Sequence, residues 1–136
     1  MGDDELAELL LRAARSLRRG HRDAFEPLGL SPSQARALRV ILKAASPPRM
    51  TDLAERLGIV PRSATTLVDA LEAAGLVRRA DDPASRRSVL VVPTTEGLAV
   101  RDRLREARRR AAEDLFAPLS TAQRETLRGL LDSITG

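Results

Sequence analysis

Apolar positions recur at helical spacing over most of the chain. From Asp4 to about Glu26, Leu6, Leu9, Leu10, Ala13, Leu17 and Ala24 fall along one wide face, which predicts a first helix, closed by Pro27 to Leu30. Ser31-Pro32-Ser33-Gln34 has the form of a capping box with proline at the first helical position. A second helix is expected from there to about Ala45, turning Leu38, Ile41 and Leu42 inward. Ser46-Pro47-Pro48 then breaks the chain, because proline removes a helical donor and clashes with the preceding turn. Arg49-Met50 is expected to add a short strand.

The segment Thr51 to Val92 changes period several times. Thr51 is the candidate N-cap of a short helix that hides Leu53, Ala54 and Leu57 and stops at Gly58. Pro61 suits the first position of the next helix, whereas Val60 is a poor cap, so proline carries that start signal. At 100° per residue, Ala64, Leu67, Val68 and Leu71 cluster on one face, with Arg62, Thr66, Asp69 and Ala73 on the other. Two β-runs follow, Leu76–Ala80 and Ser88–Val92, joined by a loop over Asp81–Arg87. Thr94 caps a long helix expected from about Thr95 to Ala117, with Leu98, Leu104, Ala111 and Leu115 at helical spacing. Pro118 ends it, and a second capping box, Ser120 to Gln123, opens a last helix striped by Leu127, Leu130, Leu131 and Ile134.

A short helix, a tight turn, a second helix showing small polar side chains and an arginine, and then a hairpin, together fit a reader of the DNA major groove. The plainer reading of the helix pair is a hairpin whose polar face meets water. Arg86 and Arg87 stand at the far end of the loop, where they can reach a minor groove or phosphates; as a plain turn they would simply be solvated.

Composition narrows the field. The net charge is +4, and between Arg49 and Val92 seven arginines face six acids, so placement of arginines and not bulk charge must carry any affinity for nucleic acid. There is no cysteine, which excludes disulfides and thiol-based oxidant sensing, and with His21 as the single histidine a structural metal site is not expected. Lys43 is the only lysine, a usage that suggests a GC-rich bacterial genome. No apolar run approaches the ~20 residues of a membrane span, and Asp3-Asp4-Glu5 replaces a signal peptide's basic start, so a cytoplasmic protein is expected. No nucleophile and base stand at a recognisable spacing and there is no glycine-rich phosphate loop, so an enzyme is not expected. The arginines from Arg101 to Arg110 point all round their helix; intrahelical pairs with Asp102, Glu106, Glu113 and Asp114 are favoured over a phosphate-contacting stripe.

Leu53-Ala54-Glu55-Arg56-Leu57-Gly58, Thr65-x-Leu67-Val68-Asp69-x-Leu71-Glu72-x-x-Gly75-Leu76-Val77-x-Arg79, Asp82-Pro83-x-x-Arg86-Arg87-Ser88-Val89-Leu90-Val91 and Thr94-x-x-Gly97 resemble the MarR family of winged helix-turn-helix regulators over nearly the whole chain. The resemblance implies a mainly α fold with a small β-wing. Residues 1–30 and 94–136 would supply dimerisation helices around a DNA-binding lobe at 31–93, with the recognition helix at about 61–74 and the wing at about 76–92. It implies a homodimer on a palindromic operator in double-stranded DNA, usually a repressor released by a small-molecule effector, with no cofactor and no metal. Arg62, Ser63, Thr65, Thr66 and Asp69 would read bases and backbone, and Arg86 and Arg87 would grip the minor groove and phosphates. His21, Phe25 and Met50 are the candidates for an effector pocket, although with no Trp or Tyr and two Phe the chain is poorly equipped to stack aromatic ligands. Three departures bear on single contacts: Ser85 replaces an aspartate that usually orients the wing arginine, and Thr66 and Ala70 stand where basic residues are frequent. The alternative is a winged adaptor or antirepressor that does not bind DNA.

Overall fold

A computed structural model of the chain describes residues 2–136. In chain order its elements are α1 (Asp3–Phe25), α2 (Pro32–Lys43), α3 (Met50–Leu57), α4 (Pro61–Ala73), β1 (Val77–Asp82), β2 (Ser85–Pro93), α5 (Thr95–Ala99), α6 (Arg101–Phe116) and α7 (Thr121–Thr135). A 3₁₀ turn at Glu26–Leu28 separates α1 from α2, and β1 and β2 form an antiparallel hairpin. This is a mainly α winged helix-turn-helix fold with a two-stranded wing.

Helix α2 is the hub. Its capping box closes as expected, the Ser31 hydroxyl accepting from Gln34 N–H (3.2 Å) while the Gln34 side chain accepts from Ser31 N–H (3.1 Å). Its inward residues Ala37, Leu38 and Ile41 lie in one core with Leu53 and Leu57 of α3, Val68 and Leu71 of α4, Val77 and Val91 of the hairpin, and Leu104 of α6. The Arg36 guanidinium also donates to the free Leu57 carbonyl (2.9 Å), tying the end of α3 to α2.

Four expectations are corrected. Helix α3 begins at Met50, not after Thr51, because tertiary contacts fix Arg49 as its extended N-cap. Arg49 bridges Leu90 on the wing, its N–H donates to the Asp52 carboxylate (3.3 Å) and its guanidinium to Asp82 (2.9 Å). The third strand is accordingly that single bridge, with Met50 already helical. The helix expected over Thr95–Ala117 is divided by a turn at Val100, which lies at the edge of the helical region (φ −86°, ψ −3°), and Leu98 is exposed while Leu104 and Ala111 are buried. The wing strands run closer to the tip than their apolar runs suggest, leaving Pro83 and Ala84 as the connection.

Behind the wing, α5 is locked onto the end of α4. Thr94 Oγ1 accepts from Gly97 N–H (3.0 Å) and donates to the Gly75 carbonyl (2.6 Å), and Thr94 N–H donates to Leu76 O (3.1 Å). Gly97 passes so near that a Cβ there would stand 2.0 Å from Leu76 O.

The two ends of the chain are differently made. Helix α1 packs on α6 through its C-terminal half, with Gly20 against Ala111, but Leu6, Leu9, Leu10 and Leu11 remain 44–58% exposed. Helix α7, capped by a closed Ser120/Gln123 box, buries no residue and leaves Leu130 and Ile134 exposed. These faces are greasier than a lone protomer needs. Among the described residues no helix is long and apolar enough to cross a membrane.

Candidate nucleic-acid interface

Helix α4 starts at Pro61 and sets Ala64, Val68 and Leu71 inward, so its opposite face is presented by geometry alone. Arg62, Ser63, Thr65, Thr66 and Asp69 are all exposed there. The Thr65 hydroxyl donates to Pro61 O (3.1 Å) and the Thr66 hydroxyl to Arg62 O (3.1 Å). Each hydroxyl has thus spent its proton on its own helix and turns lone pairs and a methyl group outward. Such a surface accepts from the amino group of cytosine or adenine and packs on a thymine methyl. Arg62 makes no ion pair among the described residues.

Asp69 is not free in the same way. Arg79, on β1, donates one guanidinium nitrogen to Asp69 (2.6 Å) and the other to Glu72 (2.6 Å), and its backbone N–H reaches Glu72 as well (3.1 Å). Asp69 and Glu72 are one turn apart, so a single planar fork clasps both. The hydrogen bond to Asp69 first, and then that to Glu72, hold the Arg79 guanidinium above its ordinary pKa against the opposing effect of burial. The clasp joins the exposed helix to the base of the wing. Sequence reasoning did not assign Arg79 a role, although it belongs to the motif around Gly75-Leu76-Val77 and an acidic i, i+3 pair precedes it.

The wing departs from a simple hairpin at one place. Asp81 pairs with Val89 and Asp82 with Ser85, so Arg86, Arg87 and Ser88 have no opposite residue and form an irregularity at the tip. Both arginines are exposed and neither makes an ion pair among the described residues. In place of the usual aspartate, Ser85 receives the Arg87 backbone N–H through a long contact (3.4 Å). Asp82, whose side chain is only 8% exposed, accepts from Ala84 N–H (2.9 Å) and from Arg49 (2.9 Å), fixing the turn to the start of α3. Between wing and helices lies a groove of about 260 Å³ bordered by Arg49, Thr51, Thr65, Arg79 and Arg87. Three arginines and two threonines from four elements therefore share one concave surface. Arg49 and Thr51 were not foreseen in it.

Of the residues expected to line an effector pocket, two lie together and the third borders the wing groove. Phe25 is buried, His21 stacks on it (ring centroids 5.5 Å apart), and Met50 is partly buried against the same core beside the wing groove. Burial, and then the nearby Arg108 charge, push the His21 pKa below its ordinary value. On α6, Arg109 pairs with Glu106 and Glu113, and Arg110 with Glu106, as the intrahelical reading expects; Asp114 has no ion-pair partner among the described residues.

Comparisons with known proteins agree with this geometry. A sequence profile described as MarR family matches residues 28–88. Two HTH-type transcriptional regulators of Bacillus subtilis are similar: YcgE, 36% identical over 79% of this chain and 62% of its own length, and YhbI, 30% identical over 82% and 71%. The chain thus spans somewhat under two thirds of YcgE. Among solved structures, a MarR-family transcriptional regulator from Rhodococcus sp. RHA1 superposes with a TM-score of 0.84 at 28% identity, covering 98% of this chain and 94% of that one. The profile match, the sequence similarity to YhbI and the scaffold shared with the Rhodococcus regulator place the chain in the MarR family of transcriptional regulators.

Proposed function

We propose that the protein acts as a homodimeric repressor that binds a palindromic operator and is released by a small-molecule effector. The observation that carries this reading is the Arg79 clasp, which ties the base of the wing to the outer face of α4, so that the two elements present one surface. In this reading Arg62, Thr65 and Thr66 meet base edges, Ser63 meets the backbone, and Arg86 and Arg87 enter the minor groove or lie on phosphates. Asp69 contributes chiefly by holding Arg79. The lobe at 31–93 does the reading, and residues 1–30 and 94–136 pair two chains through the uncovered leucines of α1 and α7. Pairing sets two recognition helices on successive major grooves, about 34 Å apart.

The test is the Arg87→Ala variant, titrated by fluorescence anisotropy against the DNA upstream of its own gene over a range of salt. Affinity falls, and the slope of log K against log salt drops by about 0.9 for each phosphate the variant no longer neutralises. Equal affinity and equal slope would remove the wing from the mechanism. No binding by either protein would favour the adaptor reading, which the near balance of charge between Arg49 and Val92 keeps in play.

A further inference from the structure

We infer that the outward face of α1 binds the phosphate backbone of duplex DNA without regard to sequence, and that it holds DNA lying outside the operator. That a distinct operator exists rests on the regulator reading above; the backbone contact does not.

Residues 12–22 of α1 contain five arginines, Arg12, Arg15, Arg18, Arg19 and Arg22, and no acid. That exceeds the chain's whole net charge of +4, so the remaining residues together are net negative. Between Arg49 and Val92, where bases would be read, seven arginines face six acids. The largest uncompensated run of positive charge therefore stands on α1 and not on the winged lobe. The acids of the same helix, Asp3, Asp4, Glu5 and Glu8, are gathered in its first two turns, where they favour the helix N-terminus.

Helical geometry keeps these arginines together and open. At 100° per residue they fall within about 120° of arc, on the side opposite Leu6, Leu10, Ala13, Leu17 and Ala24. Gly20, on that second side, packs against Ala111 of α6, so the arginines point away from α6. All five are exposed and none makes an ion pair among the described residues; Arg19 alone donates a side-chain hydrogen bond, to Ser16 (3.1 Å). On α6, by contrast, Glu106 and Glu113 hold Arg109 and Arg110. Pairing of two chains through the exposed Leu6 and Leu10 would use the opposite side of α1 and leave the arginine face uncovered.

The form of this face selects its partner. From Arg12 to Arg22 the helix rises about 15 Å, a length over which each strand of a duplex presents a phosphate every ~3.4 Å. Guanidinium forks match phosphate oxygens in geometry as well as charge. Leu11 is the one large apolar side chain on the arc, and there is no aromatic one. Helices that lie on membranes bury an apolar face there, and a protein partner needs a well-packed, desolvated centre; a convex row of charges offers neither. It suits a regular polyanion whose sequence does not matter. Such a contact would concentrate the protein on DNA before the wing and α4 meet the operator, supplying attraction that the nearly neutral winged lobe lacks.

The test titrates the full chain and its R15Q/R19Q/R22Q variant by fluorescence anisotropy against a duplex of unrelated sequence over a range of salt. The three positions are exposed, and glutamine nearly matches arginine in helix propensity, so the variant should fold, as a melt by circular dichroism will verify. At low salt the variant should bind the unrelated duplex at least about tenfold more weakly, and its slope of log K against log salt should be smaller by about 2–3, near 0.9 for each phosphate no longer neutralised. The shortest duplex bound from upstream of its own gene should be held equally by variant and parent, and more weakly by Arg87→Ala. Equal affinity and slope on the unrelated duplex, or no binding of it by the parent at low salt, overturns the inference and leaves the regulator reading intact. If the triple variant loses that shortest duplex as much as the unrelated one, the placement outside the operator falls. Poly-glutamate and phosphatidylserine vesicles should bind more weakly than the duplex; tighter binding of either, lost in the triple variant, would assign the face to an acidic protein or a membrane and overturn the inference. A parent that binds the unrelated duplex through α1 but shows no preference for the DNA upstream of its own gene would refute the regulator reading and leave the backbone contact standing.

Discussion

Replacing glycine by alanine should have opposite effects at two helical positions of this chain. Both Gly20, in α1, and Gly97, in α5, lie inside helices, where alanine ordinarily gains ~1 kcal/mol from reduced chain entropy. At Gly20 the new Cβ would meet Ala111 Cβ at 3.6 Å, an ordinary contact, so Gly20→Ala should stabilise by about 0.5–1 kcal/mol. At Gly97 the Cβ would stand 2.0 Å from the Leu76 carbonyl oxygen and 3.1 Å from its carbon. An oxygen and a carbon in contact need about 3.3 Å, so α5 must retreat by roughly an ångström. That retreat stretches the bonds from Thr94 to Leu76 O and Gly75 O, which are 3.1 and 2.6 Å long. Losing them costs about 1 kcal/mol each, and residual strain adds ~1–3 kcal/mol. After the gain in helix propensity the net loss is about 2–4 kcal/mol. Urea denaturation at fixed chain concentration reads this directly, since an m-value of roughly 2 kcal/mol/M turns the loss into a midpoint lower by about 1–2 M. A Gly97→Ala midpoint equal to or above that of the parent would show that the joint between wing and α5 is looser than described.

Other consequences can be checked in the same way. Asp69→Asn, Arg79→Ala and their double variant form a cycle whose stability coupling should be about 0.5–1 kcal/mol, because Asp69 is largely exposed and water screens the pair; each single variant should nevertheless weaken DNA binding, and additive losses of affinity would refute the clasp. His21 is held below its usual pKa, so the unfolded chain takes up its proton first. Stability is full above about pH 6.5 and declines as the pH falls from there through the folded value, and His21→Gln should remove that part of the acid sensitivity in pH-resolved thermal melts. Leu10→Glu, on the uncovered half of α1, should shift sedimentation toward the protomer at micromolar concentration; an unchanged dimer would exclude this face from pairing.

Much of the fold is legible in the sequence because its signals are local. The Ser31 and Ser120 boxes, Pro61, Gly58 and the apolar stripes of α2, α4 and α7 each act within a turn or two, and each element stands where they put it. The misses are long-range. Nothing near Arg49 marks it as an N-cap; it becomes one because Leu90 and Asp82, far along the chain, hold it extended. Val100 carries neither proline nor glycine to announce a break. The arginines of α6 point all round their helix in projection, and only the packing of α2 against one side separates Arg101, Arg105 and Arg108, which lie beside α2, from Arg109 and Arg110, which pair in solvent.

The loss of the family's wing aspartate can be understood from where the wing is braced. Asp82 anchors the turn to Arg49 and α3, while Arg79 anchors the base to Asp69 and Glu72 on α4. With two braces from the helices, the tip no longer needs a carboxylate of its own to fix the direction of the strands, and Ser85 offers only a long contact to backbone. The consequence falls on Arg86 and Arg87. Without an acid to orient them they lose more side-chain entropy on docking, yet they also have no ion pair to break before meeting a phosphate. In a surface where acids nearly balance arginines, two uncompensated guanidiniums at the far point of the wing supply a large share of the free positive charge. The wing should therefore govern salt-dependent affinity, whereas Arg62, Thr65 and Thr66 should govern which sequence is chosen.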